Sequence, residues 1–333
     1  MINQFSMRIR NAIQSILSVM RAAVAGIILL AMLLPAVNIY AYEQIIPLEA
    51  RGSSEEITEL ESEIESEGLS GIDTRQKKKI YNNGYGVYLG VDDYSRLKKL
   101  ISGNDIIVID GQLFSKKQIR KLKEGGRKVY SYLDVGSLET YRPYYKKFKH
   151  LALDPYENWP DEYWIDVSDK SWQDFIGRKI AGELYKKGVD GFFIDNCDVY
   201  SVYDETNRMY KGLVSILKKL HKYDADTIIN GGDIFVKRLI KENKTYLIEG
   251  INQETVFSRI VDYDDDEFAP QKAKETKYYK KYITKAQKSG LKVFLLEYTT
   301  DKAVKKKINS YCRKNGFRYF ISGRINLDGK VRY

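Results

Sequence analysis

The residues most able to do chemistry lie in GVDGFFIDNCDVY, positions 188–200. Phe192, Phe193 and Ile194 form a short apolar run that suits a strand buried on both faces of a parallel sheet. The run breaks into Asp195, Asn196 and Asp198. Carboxylates directly after a buried strand are costly to hold, because desolvation disfavours charge. In parallel α/β folds that end of the strand is where sites are built. The plainer reading is an Asp-Asn turn capping the next helix; three polar groups together favour a site.

Similar polar groups close other apolar runs. They are Asp110; Asp134, Ser137, Glu139 and Arg142; Asn230 and Asp233; Asn252 and Glu254; Glu297 and Tyr298. Gathered at one mouth, such carboxylates and amides suit a polyhydroxylated or cationic substrate. Two carboxyl groups across a sugar ring, one protonated and one ionised, suffice for glycoside cleavage. Asp195 is expected to act as nucleophile or charge stabiliser and Glu254 as the acid/base. An exposed loop residue before Phe257 is the alternative for Glu254, and structural pairing the alternative for Glu297. The acidic run 262–267 lacks the glycine turn and spacing of a calcium loop; it reads as a solvated loop near the cleft rim.

With only two histidines, His150 and His221, zinc-hydrolase and histidine-triad chemistry is not expected. The 27 tyrosines offer rings for sugar stacking or for packing. Cys197 and Cys312 are expected to remain unbridged.

These groups need elements to position them. Candidate strands are Gly86–Leu89, Asp105–Asp110, Lys128–Val135, Gly191–Asp195, Asp226–Asn230, Tyr246–Asn252, Lys292–Tyr298 and Arg318–Ser322. Lysine-rich amphipathic helices alternate with them, at Ser115–Glu124, Trp172–Lys187, Glu205–Tyr223, Lys272–Ser289 and Thr300–Asn315. Gly125, Gly188, Gly290 and Gly316 stand where a helix stop is expected. Eight strands alternating with helices predict an α/β fold, a (β/α)8 TIM barrel; a doubly wound open sheet is the alternative. YWIDV at 163–167 falls outside that count, in an excursion after the third strand that could wall a cleft.

The barrel is assigned to residues 76–333. Residues 1–42 read as a signal peptide or N-terminal anchor: three arginines, then the apolar run 22–34. Residues 43–75 read as an acidic flexible linker. Residues 43–70 hold nine Glu against one Arg, a net of −8, and residues 1–42 carry +3. The chain total of +10 therefore leaves +15 for residues 71–333. So basic a domain outside a cell could adhere to anionic cell-wall polymers; nucleic acid is not an expected partner, and a monomer is expected.

Three motifs carry a family resemblance. They are YSYLDVGSLETYRP at 130–143, the 188–198 segment above, and NQETVF at 252–257, supported by WID at 164–166 and LLEY at 295–298. Together they resemble the endo-α-1,4-polygalactosaminidases of glycoside hydrolase family 114 and their bacterial relatives. The resemblance spans about residues 84–322. It implies a (β/α)8 hydrolase without cofactor or metal, cutting galactosamine-rich exopolysaccharide internally, with Asp195 and Glu254 as the catalytic pair. Within this span Tyr88, Tyr132, Trp164, Asp166 and Tyr200 join the strand-end residues as candidate sugar contacts. A non-catalytic carbohydrate-binding barrel is the alternative function.

Overall fold

In the computed structural model the described residues are 84–203 and 207–330. The expected signal segment and acidic linker lie outside them. Thirteen strands are described. Eight form one parallel sheet: β1 (Tyr85–Val87), β2 (Ile106–Ile109), β3 (Lys128–Asp134), β7 (Gly191–Asp195), β8 (Asp226–Asn230), β9 (Gly250–Glu254), β12 (Lys292–Tyr298) and β13 (Arg318–Ser322), hydrogen-bonded in that order. β13 returns alongside β1, so the sheet curls into a (β/α)8 barrel.

Two hydrophobic layers hold it. An inner cluster including Tyr85, Val87, Val108, Tyr130, Tyr132, Phe193, Ile228, Phe294, Leu296 and Tyr298 fills the barrel. The alternate residues of the same strands, among them Ile107, Val129, Phe192, Ile194, Ile251 and Leu295, pack outward under the helices. A side chain's layer therefore follows from its parity in the strand.

The helical pattern expected near 172–187 is a continuous run, residues 170–187, whose middle Phe175–Ile180 is a π-turn. It stops at Gly188 in the left-handed conformation, as Lys302–Asn315 stops at Gly316. One strand boundary shifts. Thr245–Leu247 is a 3-10 turn rather than strand, and β9 begins at Gly250, which makes Glu254 the last residue of a barrel strand rather than part of a loop. The helices Tyr94–Leu100 and Asp233–Lys241 join the outer ring. Cys197 and Cys312 are both buried free thiols.

Two excursions rise from the C-terminal ends of the strands. After β3 the chain forms a small antiparallel sheet of β4 (Ser137–Glu139), β5 (Ala152–Pro155) and β6 (Glu162–Ile165), with β6 in the centre. After β9 it forms the hairpin β10 (Ser258–Asp262) and β11 (Glu267–Pro270). Among the described residues no helix is long and apolar enough to cross a membrane.

Candidate active site

Strand parity delivers the polar groups to one floor. In β7, Phe193 faces inward, so Asp195, two residues on, does as well. The same rule turns Asn230 inward beyond Ile228 in β8, and Tyr298 inward beyond Leu296 in β12. In β9, Ile251 packs outward, so Asn252 and Glu254 face in.

These groups form one directed hydrogen-bond chain. The Tyr85 hydroxyl donates to Asn252 Oδ1 at 3.0 Å, and Asn252 Nδ2 donates to Asn230 Oδ1 at 2.6 Å. That leaves Asn230 Nδ2 to donate twice, to Asp195 Oδ1 at 3.1 Å and to Glu254 Oε1 at 2.8 Å. Because each link consumes a donor, the tyrosine proton fixes which way both amides point. One nitrogen thus ties two carboxyls, whose bonded oxygens lie within about 6 Å of each other. That bound admits the roughly 5–5.5 Å separation of a retaining glycosidase pair. Burial pushes the Asp195 carboxyl well up, and the charges of Asp134 and Glu254 add to it. Burial also raises Glu254, against the lowering effect of hydrogen bonds from Asn230 and Tyr298.

Beside this pair stands a second cluster. Asp134 accepts from the backbone N–H of Gly136 at 3.1 Å and of Ser137 at 2.8 Å, and from Asn196 Nδ2 at 3.1 Å. The Ser137 hydroxyl contacts Asp134 and also Glu162 Oε2, the latter at 2.8 Å. One hydroxyl proton cannot serve two ionised carboxylates, so a proton resides on one of the two acids. Burial and the charge of Glu139 lift Asp134 to about 6, and burial and the charge of Asp134 lift Glu162 to about 8. Asp198, raised by burial, accepts the Gly232 N–H at 3.1 Å. Among the described residues none of Asp134, Glu162, Asp195, Asp198 and Glu254 makes an ion pair with a lysine or arginine. Five carboxyls without a cation thus line the mouth of a strongly basic chain.

The backbone turns sharply after three of these strands. Asn196 (φ 62°), Gly231 (φ 61°) and Thr255 (φ 55°) directly follow Asp195, Asn230 and Glu254 in the left-handed region. At Gly136 a Cβ would stand 1.7 Å from the Asn196 carbonyl oxygen. Only glycine lets the third and fourth strand ends approach this closely.

Several expected contacts lie elsewhere. Tyr88 has outward parity, and its hydroxyl bonds Asn104 Oδ1 at 2.8 Å; Tyr85 is the tyrosine of that strand that reaches the floor. Glu297 likewise faces outward, fully buried, and clamps the turn into β10 by accepting from the N–H groups of Phe257 and Ser258 and from the Ser258 hydroxyl. Asp110, Arg142 and Glu139 form a buried ion triad, with Arg142 Nη1 2.7 Å from Asp110 and a second contact to Glu139. Asp166 bonds Ser168 and pairs with Arg208 at 3.1 Å. The Tyr200 ring packs against Phe235 and Tyr210, and its hydroxyl accepts from Arg238 at 3.0 Å. These groups support the mouth without facing it. Tyr132 lies in the inner cluster beneath Asp134, and Trp164 is buried in β6 against Tyr156. Glu162, Tyr85 and Tyr156 escape the sequence reading. Strand parity would have found Tyr85, whereas Glu162 and Tyr156 sit in an excursion without a periodic signature.

A parallel eight-stranded barrel whose C-terminal mouth holds a close carboxyl pair is the architecture of a glycoside hydrolase. The family model for glycoside-hydrolase family GH114 matches residues 84–333, and the chain belongs to that family. Its barrel is similar to the glycoside hydrolase domain of PelA from Pseudomonas aeruginosa, at TM-score 0.62 and 18% identity over 73% of this chain and 95% of that one. It is also similar to Ega3 from Aspergillus fumigatus, solved in complex with galactosamine, at TM-score 0.58 and 19% identity over 75% and 94% of the two chains. An uncharacterised protein of Deinococcus radiodurans is 23% identical over 231 residues, which is 66% of this chain and 71% of that protein.

Proposed function

We propose that this protein is a secreted or surface-tethered endo-hydrolase cleaving α-1,4 linkages of a galactosamine-rich polysaccharide, with Asp195 as nucleophile and Glu254 as acid/base. The observation that carries the reading is the Asn230 amide held between the two carboxyls, at a spacing suited to direct attack on a sugar carbon. Family membership and the galactosamine bound by Ega3 support the substrate class. The mouth's unpaired carboxyls support a substrate that brings its own positive charge.

Two half-buried carboxyls this close cannot both ionise without cost, so the pair retains a proton. In the productive form that proton is on Glu254. Asp195 attacks the anomeric carbon as Glu254 protonates the departing glycosidic oxygen, leaving a sugar joined to Asp195. Glu254, now ionised, removes a proton from water, whose oxygen displaces Asp195. The Asn230 N–H groups hold both carboxyls at the required separation throughout.

In a reducing-end assay on purified α-1,4-galactosamine polymer, Asp195→Asn and Glu254→Gln should each lose at least about 1,000-fold in rate, with circular dichroism and melting temperature close to wild type. Wild-type rates in the Asp195→Asn protein would sink the assignment. Polymer binding with no new ends from the unaltered protein would identify a carbohydrate-binding barrel instead.

A further inference from the structure

The two excursions meet above the mouth. Residues 156 and 158–160, between β5 and β6, and residues 261–264, at the tip of the β10–β11 hairpin, line a groove of about 470 Å³. That falls within the roughly 300–1,000 Å³ of ligand clefts. Its aromatic members are Tyr156, Trp159 and Tyr263. Trp159 is 38% exposed and Tyr263 37%, and their rings meet edge to face at 6.1 Å. The chain's other two tryptophans, Trp164 and Trp172, are buried. An indole left in water at a loop tip, facing a ring from a separate excursion, carries a cost that core packing does not explain.

The groove adjoins the carboxyl pair on both sides. Tyr156 packs on Trp164 at 4.2 Å, in the strand that carries Glu162, and Phe268 of the hairpin stacks at 6.0 Å on Tyr298, which bonds Glu254. The charges of Asp195 and Glu254 bear on the Tyr156 and Tyr263 hydroxyls in turn. Two further acids, Asp262 and Asp264, line the hairpin side. Asp262 Oδ1 accepts from the N–H groups of Asp264 at 2.8 Å and Asp265 at 3.1 Å, which sets the turn. Among the described residues neither Asp262 nor Asp264 pairs with a basic side chain.

We propose that this groove is the subsite for the hexosamine unit next to the cleaved bond, with Trp159 and Tyr263 covering its apolar face and Asp262 and Asp264 selecting a protonated 2-amino group. The inference rests on the proposed hydrolase reading of Asp195 and Glu254. A pyranose presents a C–H face that packs on aromatic rings. An ammonium at C2 gains from two nearby carboxylates, and an N-acetyl group there does not. Specificity for the free amine would thus reside in the hairpin, outside the barrel strands.

The test uses the whole protein and α-1,4-linked galactosamine oligomers of increasing length. In the Glu254→Gln background, calorimetric titration should show Trp159→Ala and Tyr263→Ala each weakening binding about tenfold, with Trp159→Phe recovering most of the loss. In the active protein the Trp159→Ala loss should appear mainly in KM and be present already in the shortest oligomer that is cleaved. Asp262→Asn with Asp264→Asn keeps the turn's acceptor and should narrow the preference for free-amine over N-acetylated polymer. Wild-type affinity in both aromatic variants, at unchanged melting temperature, overturns the subsite while the hydrolase reading stands. Trp159-dependent binding without cleavage by the unaltered protein keeps the subsite and overturns the hydrolase. Absence of both binding and cleavage overturns the two together.

Discussion

The Asn230 side chain shows how little chemistry is needed to define this site. Its amide has two N–H donors, and each meets a different carboxyl, while Tyr85 and Asn252 behind it prevent the amide from flipping. Glu162 carries the clearest pH signature. Burial and the neighbouring Asp134 raise it from 4.5 to about 8. Between those values the folded protein holds a proton that the unfolded chain has released, so this group's contribution to stability is complete below about pH 4.5 and is lost as pH rises towards 8. Glu162→Gln removes the titrating group. Its melting temperature should therefore decline less than that of wild type between pH 5 and pH 8. Parallel declines in the two proteins would show that the proton resides elsewhere.

At the scale of elements, strand parity separates site from scaffold. Glu297 and Tyr298 are neighbours in sequence, yet one secures the β9–β10 turn and the other bonds Glu254. The Glu297 cage offers donors to both carboxylate oxygens, so Glu297→Gln would turn an N–H2 towards other N–H groups. A loss of about 1–3 kcal/mol is expected by chemical denaturation, with KM for polymer little changed in the protein that remains folded. Substrate affinity falling without loss of stability would return Glu297 to the cleft. Most of the barrel was legible because short apolar runs ending in polar residues recur at intervals that only a strand–helix alternation explains. Asp195, Asn230, Asn252 and Glu254 follow from position at those ends, and the structure brings them into one hydrogen-bond chain. Tyr88 and Glu297 were misplaced because position was weighed without parity. The β4–β6–β5 sheet and the β10–β11 hairpin were not legible, since their strands are short and only weakly alternating, β4 being buried throughout and the others partly exposed.

Over the whole molecule, charge is divided by location. Lysines crowd the helix surfaces of a region whose net charge is +15, whereas the mouth holds five carboxyls without a basic partner among the described residues. A cationic polymer is therefore repelled by the walls and attracted only at the opening. At physiological salt the field extends about 8 Å, so the mouth governs the final approach. KM for free-amine polymer should rise with ionic strength, and KM for the N-acetylated polymer should stay nearly constant. Equal salt dependence for both would argue that the carboxyls recognise hydroxyl groups rather than charge.

The short distance spanned by the Asn230 amide has one more outcome. On the proposed mechanism a sugar held on Asp195 would wait for whatever hydroxyl next enters the groove, and at high oligomer concentration that hydroxyl would belong to another chain. Under those conditions the protein would join fragments as well as cut them, lengthening some chains while shortening others.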